Sequence, residues 1–304
     1  MDKNTLVGFT LIGAVLIGFS IYNRPSQEEM ERAKRYQDSI TIAQVEAAKL
    51  EAEAAARSVQ ALTLDSTSLF FGANQGTEQF TTLENNLVKV TFSNKGGRVV
   101  SATLKDYKDQ QGQPLTLFNE EESAMNFAFE GKNENILTED LFFQPTNVTD
   151  STITMRLQTT GAGYIDFAYR LLPESYMVDF NVRANGMQNV FPAALKTVNI
   201  GWSQRARQQE KGFDFEQRYT SLTYKPVDDG SDYLSEMSDD KETFEEPMEW
   251  IAFKNQFFSS VLIANQNFEN VTLESVIQKE GSGYMKDYTA DMTTFFDPTG
   301  KKAT

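Results

Sequence analysis

The hydrophobic pattern divides the chain into three stretches. The first is Leu6–Tyr22, LVGFTLIGAVLIGFSIY, a run of 17 residues without charge. Leu6, Val7, Phe9, Leu11, Ile12, Val15, Leu16, Ile17, Phe19, Ile21 and Tyr22 supply its apolar surface. Coiled as a helix it reaches roughly 25 Å, the short end of what crosses a bilayer. Three readings are open: an uncleaved anchor, a secretory signal cut after Gly18-Phe19-Ser20, and a buried soluble helix. The run exceeds the usual ~7–15 residue signal core and no Ala-x-Ala follows, which favours the anchor. Lys3 precedes it, whereas Arg24, Arg32, Lys34 and Arg35 follow, so flanking charge does not set its orientation.

Pro25 ends this element and a second helix is predicted at once. Ser26-Gln27-Glu28-Glu29 has the form of a capping box, in which hydroxyl and carboxylate satisfy early amide donors. No Gly or Pro interrupts Glu28–Arg57, and pairs such as Glu28/Arg32 and Glu53/Arg57 add a few tenths of a kcal/mol each. A heptad runs through Ala33, Ile40, Ala47 and Ala54, with Tyr36, Ala43 and Leu50 at the second position. That seam is thin and Ala-rich, which suits a solvated spacer better than a coiled coil.

From about Leu64 the period falls to two. Leu87–Ser93 sets Val88, Val90 and Phe92 on one face; Asn94-Lys95-Gly96-Gly97 follows as a turn, and Arg98–Lys105 returns. Thr152–Gln158, Tyr164–Leu171, Tyr176–Arg183 and Lys196–Trp202 alternate in the same way, as do Trp250–Phe253, Phe257–Ala264, Val271–Ile277 and Tyr284–Phe296. Half-buried strands joined by Gly, Asn and Asp turns predict a mainly β fold of antiparallel sheets packed face to face. The length calls for an enlarged sandwich or two fused ones. The expected division is 1–25 anchor, 26–60 helical spacer and 61–304 β-sandwich.

Composition narrows the chemistry. Forty per cent hydrophobic residues, with 23 Phe and 11 Tyr, suffice for a large core. The net charge of −15 disfavours nucleic acid as a partner, since phosphate neutralisation needs clustered Lys and Arg. The chain has no Cys and no His, which removes thiolate and imidazole chemistry and leaves only carboxylate, Lys or Tyr catalysis. An enzyme is disfavoured on that ground, and no cofactor is expected.

Two charge clusters stand out. Asp228–Glu249 holds ten acids against one base, Lys241. Asp228-Asp229-Gly230-Ser231-Asp232 lacks the ligand order of an EF-hand, so a solvated acidic loop is expected, with a weak divalent-cation site as the alternative. Arg205, Arg207, Lys211 and Arg218, interleaved with Phe213, Phe215 and Tyr219, are read as an ordinary surface rather than a stacking platform. Gly96-Gly97 lacks the helix and Lys of a phosphate loop.

Four stretches in order give a resemblance. Met1-Asp2-Lys3-Asn4 feeds directly into the apolar run. Val90–Tyr107 carries a strand, the Gly96-Gly97 turn, and a second strand with Leu104 and Tyr107 as its Leu-x-x-Tyr ending. Gln113–Phe118 follows, and Trp250–Ala264 carries Trp250 with Phe257 and Phe258. Together they resemble the amino-terminal part of the YidC-type membrane protein insertases, in a Bacteroidetes-like form. The resemblance implies a supersandwich-like periplasmic domain on the inner membrane, with the amino terminus cytoplasmic. It implies as partners nascent membrane proteins, the Sec translocon with SecD/SecF, and the lipid bilayer. It also implies five further membrane helices carrying the insertion groove, which this chain does not contain, and a sandwich lacking its last strand or two. The chain is therefore expected to be the tethering and partner-contacting part of a longer insertase. The alternative from another class is a membrane-anchored carbohydrate-binding or carbohydrate-active β-sandwich, using Trp202 and Trp250 beside two convergent carboxylates.

Overall fold

Every second side chain is buried along Thr152–Gln158 and Tyr164–Leu171, so the period-two pattern becomes two strands with one dry face. The computed structural model describes residues 68–303; Leu6–Tyr22 and the spacer stretch lie outside them. Among the described residues no helix is long and apolar enough to cross a membrane.

Seventeen strands are described, all paired antiparallel. β1 (Phe80–Glu84), β2 (Val88–Ser93), β3 (Val99–Lys108) and β4 (Pro114–Phe118) form a first sheet in sequence order. β7 (Gln144–Thr146), β8 (Thr152–Gln158), β9 (Tyr164–Leu171) and β10 (Val178–Asn185) form a second, with β10 and β7 at its edges. The third contains β5 (Ser123–Phe129), β6 (Ile136–Leu137), β11 (Thr197–Arg207), β12 (Ser221–Pro226), β13 (Asp232–Tyr233), β14 (Asp240–Phe244), β15 (Met248–Lys254), β16 (Ser259–Ile277) and β17 (Tyr284–Phe295). Its order is β13-β12-β15-β16-β17-β11-β5-β6, with β14 also on β16.

β16 gives this third sheet its shape. Its first part, Ser259 to Ile263, pairs with β15, and its last part, Thr272 to Ile277, pairs with β17. Register shifts lie on both sides of the change of partner, which is how a strand passes from one layer of a sandwich to the other. The two halves of the sheet consequently face each other: Trp202 of β11 stacks on Phe253 of β15 at 3.8 Å between centroids.

The inner face of β11 is continuous, with Val198, Ile200, Trp202, Gln204 and Ala206 all buried. At one end this layer meets the second sheet, where Phe127 of β5 packs against Phe167 of β9 at 4.8 Å. β9 also holds the first sheet through Phe92 and Tyr169, 4.8 Å apart. One dry core thus joins all three sheets, as the antiparallel sandwich pattern requires.

Several elements differ from the sequence reading. The runs expected over 257–264 and 271–277 join in one 19-residue strand that begins at Ser259, Phe257 and Phe258 falling in the turn before it, because the intervening residues turn the strand without ending it. The strand expected over 98–105 extends to Lys108, and that over 196–202 extends to Arg207. Part of the acidic run is ordered as β13 and β14, held by cross-strand backbone bonds that charge does not forbid. Phe213–Gln217 forms one short helix, α1, within a stretch read as loop and strand.

Candidate functional site

Apart from Leu104 within β3 and Trp250 on β15, the residues that carry the family resemblance fall in two places, one closed and one open. The closed one is the turn between β2 and β3. Gly96 and Gly97 have φ of 75° and 63°, in the left-handed region that favours glycine. A Cβ on Gly97 would sit 2.8 Å from the Phe143 ring, so the side chain is excluded by space as well as by backbone. The turn is wired to distant chain: the Gly96 N–H donates to the Leu141 carbonyl at 2.9 Å. The Tyr169 hydroxyl donates to the Gly97 carbonyl at 2.8 Å. Burial raises the pKa of that Tyr169 hydroxyl far above its ordinary value, so it stays a donor. Asn94 joins in by accepting the Gln79 N–H at 2.7 Å through its side chain. Arg98 donates to the Ser123 carbonyl at 2.7 Å, and burial lowers its pKa. Leu104 is buried further along β3, opposite Val88 of β2 and Leu115 of β4.

The open place lies at the other end of β3. Tyr107 is 45% exposed and meets Phe258 edge-on at 5.0 Å between centroids. Tyr176, from the turn between β9 and β10, lies close enough to Tyr107 for the two hydroxyls to act on each other. Phe257, at the tip of the turn between β15 and β16, is 66% exposed. That turn is held by the Asn255 side chain, which donates to the Arg207 carbonyl at 2.8 Å. The end of β3 and two turns from distant parts of the sequence therefore bring these aromatics together. Tyr107, Phe257 and Phe258 come from the two motifs quoted for the family; Tyr176 and the exposed Met177 were read as strand positions. Only the pairing of β9 with β10 places them here.

The charged clusters are accounted for differently. Arg207 donates through Nε to both carboxylate oxygens of Glu122, at 2.9 and 2.7 Å, and the Tyr284 hydroxyl donates to the same group at 3.0 Å. Arg205 pairs with Asp287 at 3.0 Å and lies over the Tyr284 ring. Two of the four basic residues are thus occupied by acids. Phe213 is buried, whereas Phe215 and Tyr219 stay exposed on and beside α1. The α1 carboxylate of Glu216 is buried and accepts the backbone N–H groups of Gln209 and Glu210 at 3.0 Å each. Burial nonetheless raises its pKa.

Trp202 is only 6% exposed and one ring face is covered by Phe253, which leaves no surface for stacking on a sugar. Trp250 is half-buried on β15. An apolar pocket of about 80 Å³ opens between the β10 edge and β16, lined by residues including Phe127, Phe180, Ile200 and Leu262, with no carboxylate in its wall. Among the described residues no group of three or more Asp and Glu side chains could hold a metal.

Comparison with known proteins places this geometry. The family model for the YidC periplasmic domain matches residues 81–304. A protein named membrane protein insertase YidC from Phocaeicola vulgatus is 72% identical over 306 residues, covering 100% of this chain and 49% of that protein. Its namesake from Bacteroides fragilis is 51% identical, covering 100% and 50%. The more distant one from Chlorobium limicola is 28% identical, covering 100% and 52%. The chain spans about half the length of the curated relatives it matches. Among solved structures, a galactose mutarotase-like protein from Lactobacillus casei gives a TM-score of 0.40 at 9% identity, over 73% of this chain and 90% of that one. A likeness that distant carries no argument about activity.

Proposed function

We propose a function from one premise: this chain belongs to the YidC insertase family and carries its periplasmic domain. It serves as the amino-terminal part of a membrane protein insertase, and the match over residues 81–304 is the observation that carries this reading. Leu6–Tyr22 anchors it in the bacterial inner membrane with the amino terminus in the cytoplasm. Residues 26–60 act as a helical spacer, and an enlarged, supersandwich-like domain stands in the periplasm.

This part tethers and makes contacts; it performs no bond chemistry. Insertion lowers the cost of carrying polar flanks of a nascent helix into lipid, which needs a shielded polar path rather than a catalytic group. The domain's part is to engage nascent membrane proteins or the Sec translocon with SecD/SecF. The aromatic surface around Tyr107, Phe257 and Phe258 is the contact we assign to it, because exposed Tyr and Phe on rigid turns supply large area at small entropic cost.

Two measurements test this. The chain has no cysteine, so Gln111→Cys gives a single reporter on an exposed turn. Labelling by an impermeant maleimide in intact spheroplasts is expected; labelling only after lysis would overturn the periplasmic placement. Photo-crosslinkers at Tyr107 and Phe257 should capture Sec components or nascent chains in intact membranes. Capture of neither, with insertion proceeding, would reject the contact role.

A further inference from the structure

The acidic run, which this function leaves unused, lies over a buried lysine. Lys286 of β17 sits between Ala206 of β11 and Ile277 of β16 and is fully buried. Its Nζ donates to the Ser235 carbonyl at 2.8 Å. An ammonium has three protons to place, and among the described residues no carboxylate forms an ion pair with this one. Glu236, Asp239 and Asp240 of the acidic run lie near enough to act on it through space. On the three strands that flank it, the described neighbours on its face are uncharged. From β11 come Gln204 and Ala206, from β16 Ser275 and Ile277, and from β17 Tyr288, whose hydroxyl is held by the Lys254 carbonyl. Arg205 and Asp287 alternate to the opposite face and pair there.

The covering segment is held at Asp232–Tyr233 by its short pairing with β12 and elsewhere by few contacts. Leu234 is the one fully buried side chain in residues 228–240. Its N–H donates to the Leu222 carbonyl, the Ser235 N–H donates to Asp240, and Asp239 accepts the Ile277 N–H. Six acids in that segment, Asp228, Asp229, Asp232, Glu236, Asp239 and Asp240, repel one another. Few apolar contacts and mutual repulsion are the conditions for local opening below the cost of global unfolding.

We propose that residues 228–240 form a strap that opens independently of the sandwich, driven by the unpaired charge of Lys286 buried beneath it. A buried ammonium with one acceptor is costly, and opening returns it to water. Release presents Lys286, Gln204 and Ser275 as a polar, positively charged bed on an otherwise acidic domain. Burial lowers the lysine's pKa from 10.5 to about 8. The open form binds the proton more tightly than the closed form, so closure strengthens as pH rises from about 8 toward the ordinary value.

The test uses the full 304-residue chain in detergent. Cleavage after Glu236 by a Glu-specific protease is followed at about pH 7 and about pH 9, each rate normalised to a free peptide of residues 228–240. The normalised rate should fall about tenfold between the two, which is what this change in pKa requires. Lys286→Met, which keeps the stem and removes the charge, should cut more slowly at neutral pH and lose the pH dependence. A pH ratio near one in the unmodified chain, or a faster-cut Lys286→Met that folds, would overturn the strap. Cleavage that appears only together with cuts in β11 and β17 would also overturn it, since the segment would then open only by global unfolding.

Discussion

The two ends of β3 carry residues of the same family motif and obey opposite rules. At the Gly96-Gly97 end the Gly96 N–H and the Gly97 carbonyl are both taken up by distant chain, and Phe143 fills the space a side chain would need. At the Tyr107 end a large ring stands in solvent, touching Phe258 and Tyr176 without being enclosed. A motif read as one signature therefore divides into residues that hold the fold and residues that face outward. The first kind stabilises by excluding alternatives in a packed interior; the second has little effect on stability and is free to bind.

The comparison breaks most readily at the closed end. Gly97→Ala forces a positive φ on a residue with a Cβ and drives it into Phe143. It should cost about 2–4 kcal/mol in denaturant unfolding. A cost below about 1 kcal/mol would show that the ring moves aside and the end is not closed. Tyr169→Phe removes the donor to the buried Gly97 carbonyl and keeps the stacking on Phe180 at 4.5 Å. The expected loss is about 1–2 kcal/mol, from leaving that acceptor unpaired.

At the open end the effects are smaller. Tyr107→Ala and Phe258→Ala, singly and together, should show a coupling of about 0.5–1.5 kcal/mol if their edge-on contact persists in solution. Phe257→Ser should change stability by less than about 0.5 kcal/mol while abolishing the crosslinks from the probe at position 107. A larger destabilisation would mean that the exposed ring belongs to the fold after all, and the distinction between the two ends would fail.

Much of this architecture was legible before any coordinates. β8 coincides with the strand expected over Thr152–Gln158, because strict alternation buries one face whatever lies opposite. The Gly-Gly turn was equally plain, since two consecutive glycines after an alternating run admit the left-handed backbone such a turn needs. Among the strands that escaped notice, β5 has mixed burial instead of strict alternation, whereas β12 alternates over Leu222–Pro226 but ends on a proline, a residue that argues against a strand when read from sequence.

What the chain determined by itself is local: where it extends, where it turns, and which family's order of motifs it follows. Whether a given aromatic faces inward was decided only in three dimensions. Tyr169 and Tyr107 are alike in sequence terms, yet one is enclosed between sheets and the other stands at an edge. The same holds for charge. Glu122 found Arg207 across 85 residues of chain, whereas Lys286 was buried with, among the described residues, no carboxylate in an ion pair with it. Burial and partner are long-range properties, set by which strands meet, and no periodicity encodes them.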